Sequence, residues 1–195
     1  MSMPLNILSP DPITGAFLPP DDRIRTSLLV DYELGGVAIG DPSQGLEVQI
    51  WEARVSGNTI QIRPEGSGAW TDIVSGASIT EITLAFDQSM RPSITFVDSG
   101  VASFYWYDAN TVNYVTSTFP GATSPVCCMD DKRAMEVGTN DVLLFYLKDG
   151  RVMHRRQRDR YLIEYDLAAV PDRAGRIRRW GMHNALRIML EFELA

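Results

Sequence analysis

"LLFYLKDGRVMHRRQRDR", Leu143–Arg160, changes character halfway along its length. An unbroken apolar run leads into Lys148-Asp149-Gly150, and five arginines follow between Arg151 and Arg160. The run is too short for a helix with its own core, and Asp-Gly supplies the positive φ angles of a two-residue hairpin turn. The stretch therefore reads as a core strand and a return strand that leaves the core. Alternation along the return puts Val152, His154, Arg156, Arg158 and Arg160 on one side. Arg151, Met153, Arg155, Gln157, Asp159 and Tyr161 fall on the other. Neither side stays apolar beyond Met153, so the strand is expected to run to an edge, a rim or a protein interface.

The same order occurs twice more upstream. "SITFV" (93–97) leads through Asp98-Ser99-Gly100 into "VASFYWYD" (101–108), followed by "TVNYVTSTF" (111–119) and "SPVCCMD" (124–130). Before it, "LEVQIWEARV" (46–55) turns at Gly57-Asn58 into "TIQIRP" (59–64), followed by "AWTDIVSG" (69–76) and "ITEITLAFD" (79–87). The turn glycines Gly57, Gly100 and Gly150 lie 43 and then 50 residues apart, about the length of a four-stranded propeller blade. The fold class expected is mainly β, with repeated antiparallel hairpin units near 46–87, 92–130 and 142–193. Partial propeller-like blades and a β-sandwich both satisfy that pattern. Two or three blades cannot close a ring, so an open wedge or a larger assembly would follow from the first. "YLIEYDL" (161–167) reads as a strand, residues 35–45 as a Gly-rich loop, and Asp130–Val137 as a faint helical pattern. The closing "ALRIMLEFELA" (185–195) alternates, as a strand that closes the chain's own sheet or adds to a neighbour's edge would, and the first is the favoured reading.

Residues 1–22 contain five prolines and no periodicity, so they read as an extended docking arm ahead of a single β domain over 23–195. Leu5, Ile7 and Phe17 give the arm apolar groups to dock with, and with Arg151, Arg155, Arg156, Arg158 and Arg160 they are the candidate interface residues. The formal charge is −7, unevenly placed. Residues 1–131 hold 16 acids and 5 bases, and residues 132–195 hold 9 acids and 13 bases. That asymmetry suits head-to-tail pairing between copies or with a neighbour. The acidic total argues against a phosphate-binding surface, and aromatics beside the arginines fall in the apolar half, so nucleic acid is not the expected partner. The N-terminus lacks the pattern of a signal peptide, and no apolar run approaches a membrane span. A chain made in the cytoplasm is expected.

Chemistry-bearing groups are few. Cys127 and Cys128 are adjacent, a poor arrangement for a zinc site, and read as small buried residues. Asp87 precedes "QSMR" and Asp130-Asp131 precede "KR"; turn aspartates capping backbone donors beside an arginine explain both. "SFYWYD" places Phe104 and Trp106 on one face, Tyr105 and Tyr107 on the other. Core packing explains such a strand, and Tyr105, Trp106 and Tyr107 are the candidate glycan contacts if it is exposed. "GSGAWTD" (66–72) is similar to the Asp-box turn of sialidase-like propellers, without the aspartate that precedes the glycine. No catalytic, metal or cofactor motif is found, and the expectation is a protein that is not an enzyme.

"ITLAFDQSMRPSITFVDSGVASFYWYD" (82–108), "TNDVLLFYLKDGRVMHRRQRDRYLIEY" (139–165) and "GMHNALRIMLEFEL" (181–194) resemble small virion structural proteins of tailed bacteriophages, over about residues 5–195. The resemblance implies a non-enzymatic component of the virion, in tail or baseplate, that binds other virion proteins as a homo-oligomer or symmetric multicopy assembly. A host-surface glycan-binding module and a head–tail joining protein are the alternatives. No family site residues transfer.

Overall fold

The computed structural model describes residues 2–6, 30–31, 35–39, 50–64, 66, 68–87, 89, 91–129, 142–171, 174–183 and 187–194. They form strands and turns, with one short 3-10 turn at Gln157–Asp159. In chain order, β1 is Ser2–Asn6, β2 Val30–Asp31, β3 Gly35–Ile39, β4 Ile50–Ser56, β5 Thr59–Pro64 and β6 Thr71–Ser75. Next come β7 (Ile79–Phe86), β8 (Pro92–Asp98), β9 (Val101–Asp108), β10 (Asn113–Phe119) and β11 (Thr123–Met129). The series ends with β12 (Val142–Lys148), β13 (Arg151–Arg156), β14 (Tyr165–Ala169), β15 (Ala174–His183) and β16 (Arg187–Leu194).

These strands make four antiparallel sheets, three of them meanders in sequence order: β2 to β6, β7 to β10, and β11 to β14. The fourth joins the two ends of the described chain, in the order β1-β16-β15. The opening strands of successive sheets adjoin: β3 lies by β7, β7 by β11, β11 by β15, and β15 by β2 next to β3. The series thus returns to its start, as the inner strands of a four-bladed propeller do. Too few blades were expected for closure. The missing blade comes from both chain ends, with β1 paired to β16 from Ser2↔Glu193 to Asn6↔Met189. Part of the expected docking arm is therefore a strand of the chain's own fold, and residues 7–22 of it lie outside the described residues.

The blades begin one strand earlier than the hairpin units read from sequence. Ile79–Phe86 and Thr123–Met129 each open a new sheet instead of ending the previous one. Gly35–Ile39, expected in a loop, is a strand paired to β4. Asp130–Val137 lies outside the described residues. The turn glycines stand in the central hairpins β4–β5, β8–β9 and β12–β13, with Ser56↔Thr59, Asp98↔Val101 and Lys148↔Arg151 flanking two-residue turns. Ser99 and Gly100, and likewise Asp149 and Gly150, all have positive φ, which matches the twist of the flanking strands.

The backbone repeats where residue identity does not. Inner strands β7, β11 and β15 each carry a bulge near their start, at Thr80/Thr83, Thr123/Val126 and Ala174/Arg176. Outer strands β6 and β14 shift register against their neighbours in the same way. Gly76 N–H donates to the Asn58 carbonyl at 2.9 Å, and Val170 N–H to the Gly150 carbonyl at 2.9 Å, so two blades tie their exit to their central hairpin alike.

Three apolar cores fill the spaces between successive sheets. Ile60, Ile62, Ile82, Leu84, Ile94 and Phe96 pack the first. Phe104, Trp106, Phe119, Leu144, Tyr146 and Tyr161 pack the second. Val126, Phe145, Ile177, Leu190 and Phe192 pack the third. "VLLFYL" is buried along its whole length because β12 is an interior strand facing two cores. Cys127 and Cys128 are fully buried, as expected. Cys127 joins a polar knot: its N–H donates to Thr83 Oγ1 at 2.9 Å, its thiol to the Ser93 carbonyl at 3.3 Å, and Thr95 Oγ1 donates to the Pro125 carbonyl at 2.9 Å. Burial pushes the Cys127 thiol up to about 11.

Candidate functional site

The five arginines do not line a free edge. β13 is paired to β12 along its length and to β14 from Arg151 to His154, which corrects the edge expectation for that part of the strand; Arg155 and Arg156 lie past the β14 pairing. The acids that meet these arginines come from β14, its approach, and the neighbouring blade. Arg151 pairs with Asp166 at 2.8 Å. Arg155 pairs with Glu164 at 3.0 Å and also donates to Tyr146 Oη and the Tyr161 carbonyl, both at 2.7 Å. Arg156 pairs with Asp159 at 2.8 Å and donates to Tyr165 Oη. Arg160 crosses to the neighbouring blade, where Nη2 meets Asp108 Oδ2 at 2.6 Å. Arg158 is exposed.

What these pairs fix is the connection from β13 to β14. "YLIEYDL" was expected to be a strand throughout, yet strand begins only at Tyr165. Arg160 and Tyr161 instead take successive positive φ values of 52° and 56°. Left-handed backbone costs a residue with a Cβ about 1–2 kcal/mol. Such strain persists only where surroundings over-determine it, and here they do. Tyr161 is buried edge-on against Phe104 and Trp106, ring centroids 4.7 and 4.8 Å away, and its hydroxyl donates to the Val142 carbonyl at 3.1 Å. Backbone bonds close the turn: Arg160 N–H to Gln157 O at 2.7 Å, Tyr161 N–H to Arg156 O at 3.0 Å, and Leu162 N–H to Asp159 O at 3.0 Å.

The electrostatics agree. The Arg160 guanidinium holds the Asp108 carboxyl below its ordinary range. Hydrogen bonding from Tyr165, with Arg156, does the same for Asp159. Burial pulls Glu164 upward, but bonds from Tyr146, Lys148 and Arg155 outweigh it and leave its pKa lowered. Each carboxylate is thus held charged by groups of the fold.

With Tyr161 pointing inward, the next two side chains point out. Leu162 is 74% exposed and Ile163 50% exposed. Val112, in the β9–β10 turn that the Asp108–Arg160 pair draws toward this segment, is 72% exposed. Leu162 and Ile163 are thus exposed aliphatic side chains carried on a turn held by ion pairs and backbone hydrogen bonds. Sequence reasoning missed Leu162, Ile163, Val112 and Asp108. The available signal was three consecutive apolar residues, Tyr161-Leu162-Ile163, between charged neighbours, which strand alternation does not explain.

The remaining candidates separate. Leu5 lies on β1 opposite Leu190, while Ile7 and Phe17 lie outside the described residues. Trp106, a candidate glycan contact, is buried, its indole N–H donating to Ser117 Oγ at 3.1 Å. A ring facing the core cannot stack on a sugar. Tyr105 and Tyr107 are half-buried on the opposite face, where Tyr105 stacks on Tyr114 at 4.8 Å and Arg91 lies 4.1 Å over Tyr107. Asp87 caps the N–H groups of Ser89 and Arg91 and pairs with the Arg91 guanidinium at 2.7 Å, as a turn aspartate should. Asp130 and Asp131 lie outside the described residues. Trp70 of the "GSGAWTD" stretch packs against the guanidinium groups of Arg54 and Arg63 at 4.0 and 4.3 Å. Among the described residues no group of three or more His, Cys, Asp or Glu is placed to hold a metal, and no helix is long and apolar enough to cross a membrane.

Comparisons with protein-family models, with curated proteins and with solved structures find no match.

Proposed function

We propose that the chain is a structural component of a tailed-phage virion, in tail or baseplate, working through protein–protein contacts and not as an enzyme. The observation that carries this reading is the Gln157–Glu164 turn, in which two strained residues, braced by the ion pairs of Arg155, Arg156 and Arg160, hold Leu162 and Ile163 out in water. Exposed aliphatic side chains on a preorganised turn lose little conformational freedom on docking, so apolar burial goes into affinity. Residues that stabilise the isolated fold would not need to be exposed this way. The resemblance of residues 82–108, 139–165 and 181–194 to virion structural proteins supports the same assignment. Its partners are then other virion proteins, and its final location the particle.

The test is complementation of a particle lacking the chain. Wild type should enter the particle, and Leu162→Ser with Ile163→Ser should be made at normal level, melt normally and stay in the soluble fraction. Equal incorporation of the double variant would contradict the reading.

A second reading, a glycan-binding module, is favoured by one feature: the half-exposed Tyr105–Tyr114 stack, which offers ring faces to a sugar. Glycan-array binding lost on Tyr114→Ala would support it.

A further inference from the structure

We infer that His154 is an acid-operated latch: on taking up a proton it parts Tyr165 from β13 and loosens the Gln157–Glu164 turn. The device does not depend on what that turn contacts.

Three rings form a row across the sheet. In register, Phe145 of β12 lies opposite His154 of β13, and His154 opposite Tyr165 of β14. The imidazole stacks on both, its centroid 5.9 Å from that of Phe145 and 4.8 Å from that of Tyr165. Its Nδ1 is buried and, among the described residues, has no hydrogen-bond partner. Protonation puts N–H on both ring nitrogens, so a charged donor would be buried without an acceptor.

The surroundings resist that charge. Arg156 lies on the same side of β13, and its guanidinium sits 4.3 Å from the centroid of the Tyr165 ring, so an imidazolium would be a second cation against one ring. Burial, with Arg156, holds the His154 pKa below its ordinary value, against a hydrogen bond with the Tyr165 backbone and the opposite charge of Asp159. Asp159 is already committed, accepting from Arg156 Nε and from Tyr165 Oη, both at 2.8 Å. On the β12 side, Phe145 belongs to the third core, whose described members are apolar residues and one cysteine.

The clasp on the turn is what protonation loosens. Arg156, Asp159 and Tyr165 bridge the two ends of the β13–β14 connection, and His154↔Tyr165 is the last pair of that ladder. Opening the ladder at this end lets water reach the charged ring with the least loss of pairing. It also draws Tyr165 away from Arg156 and Asp159.

Hydrogen exchange of the full chain at pH 7 and pH 5, corrected for intrinsic rates, tests it. Carboxylates with ordinary or lowered pKa values keep their charge over that interval. His154→Phe keeps the row of rings without the proton and so isolates the histidine. Protection of the 157–165 amides should fall about tenfold in the wild type and stay level in the variant, with β8 unaffected in both. Equal protection at the two pH values, or the same fall in His154→Phe, overturns the inference. If the variant does not fold, the wild-type imidazole resonance decides. A midpoint below the free value of 6.5 accompanying the fall supports the latch, and one at or above it overturns the latch.

Discussion

Arg160 and Asp108, 52 positions apart in sequence, meet at 2.6 Å and join the β13–β14 connection of one blade to the β9–β10 turn of the next. The pair locks Arg160 in its left-handed conformation and with it the orientation of the following three residues. Asp108→Asn keeps the shape and removes the charge. The expected outcome is faster tryptic cleavage after Arg158 and Arg160 in the native protein, with the rest of the digestion pattern unchanged. An unaltered cleavage rate would mean that the other braces suffice.

Tyr161 is the anchor of the same turn. Truncation to Ala removes a ring packed against Phe104 and Trp106, and should cost about 3–5 kcal/mol in urea unfolding. Tyr161→Phe removes only the hydroxyl donated to Val142 and leaves that carbonyl short of a partner. It should cost about 1 kcal/mol. Equal effects of the two substitutions would show that the ring contributes little.

The hairpins, the buried "VLLFYL" strand, the buried cysteines and the Asp87 turn were legible because each rests on local chemistry: turn residues, alternation, and capping geometry. Closure of the ring was not, since β1 finds β16 across nearly the whole sequence and short strands carry no label for such partners. The arginine strand misled for a related reason. Its neutralising acids, Asp166, Glu164, Asp159 and Asp108, belong to other elements, and alternation alone cannot see them. Leu162 and Ile163 were hidden by the assumption that an apolar run is strand, whereas two residues with positive φ interrupt it.

Acid should loosen this part of the molecule first. Asp108, Asp159 and Glu164 all have lowered pKa values in the fold, against 3.8 for a free aspartate and 4.5 for a free glutamate. Depressed folded values mean that the unfolded chain takes up protons first, so their stabilisation is complete above those free values and is lost as pH falls through the folded ones. Glu81, raised by burial, contributes in the opposite sense, favouring the fold below its folded value. Burial also lowers the pKa of His154 from its free value of 6.5, so thermal melts should show a decline beginning near pH 6.5 and steepening near pH 4.5, the second step shallower in Glu164→Gln. A flat profile down to pH 4.5 would mean that His154 takes up its proton without cost.

Cys127 and Cys128 should be silent in the folded protein. Both are fully buried, and the Cys127 thiol, pushed up to about 11, holds its proton at neutral pH. A maleimide reagent should label neither in native buffer and both in denaturant. Native labelling on the timescale of mixing would show that the polar knot around Thr83 opens.

A reconstruction of the assembled particle at side-chain resolution tests the central claim most directly. The account predicts Leu162, Ile163 and Val112 buried against a neighbouring polypeptide, with Arg160 still on Asp108. A particle in which those three side chains face solvent, or one that lacks the chain, would contradict it.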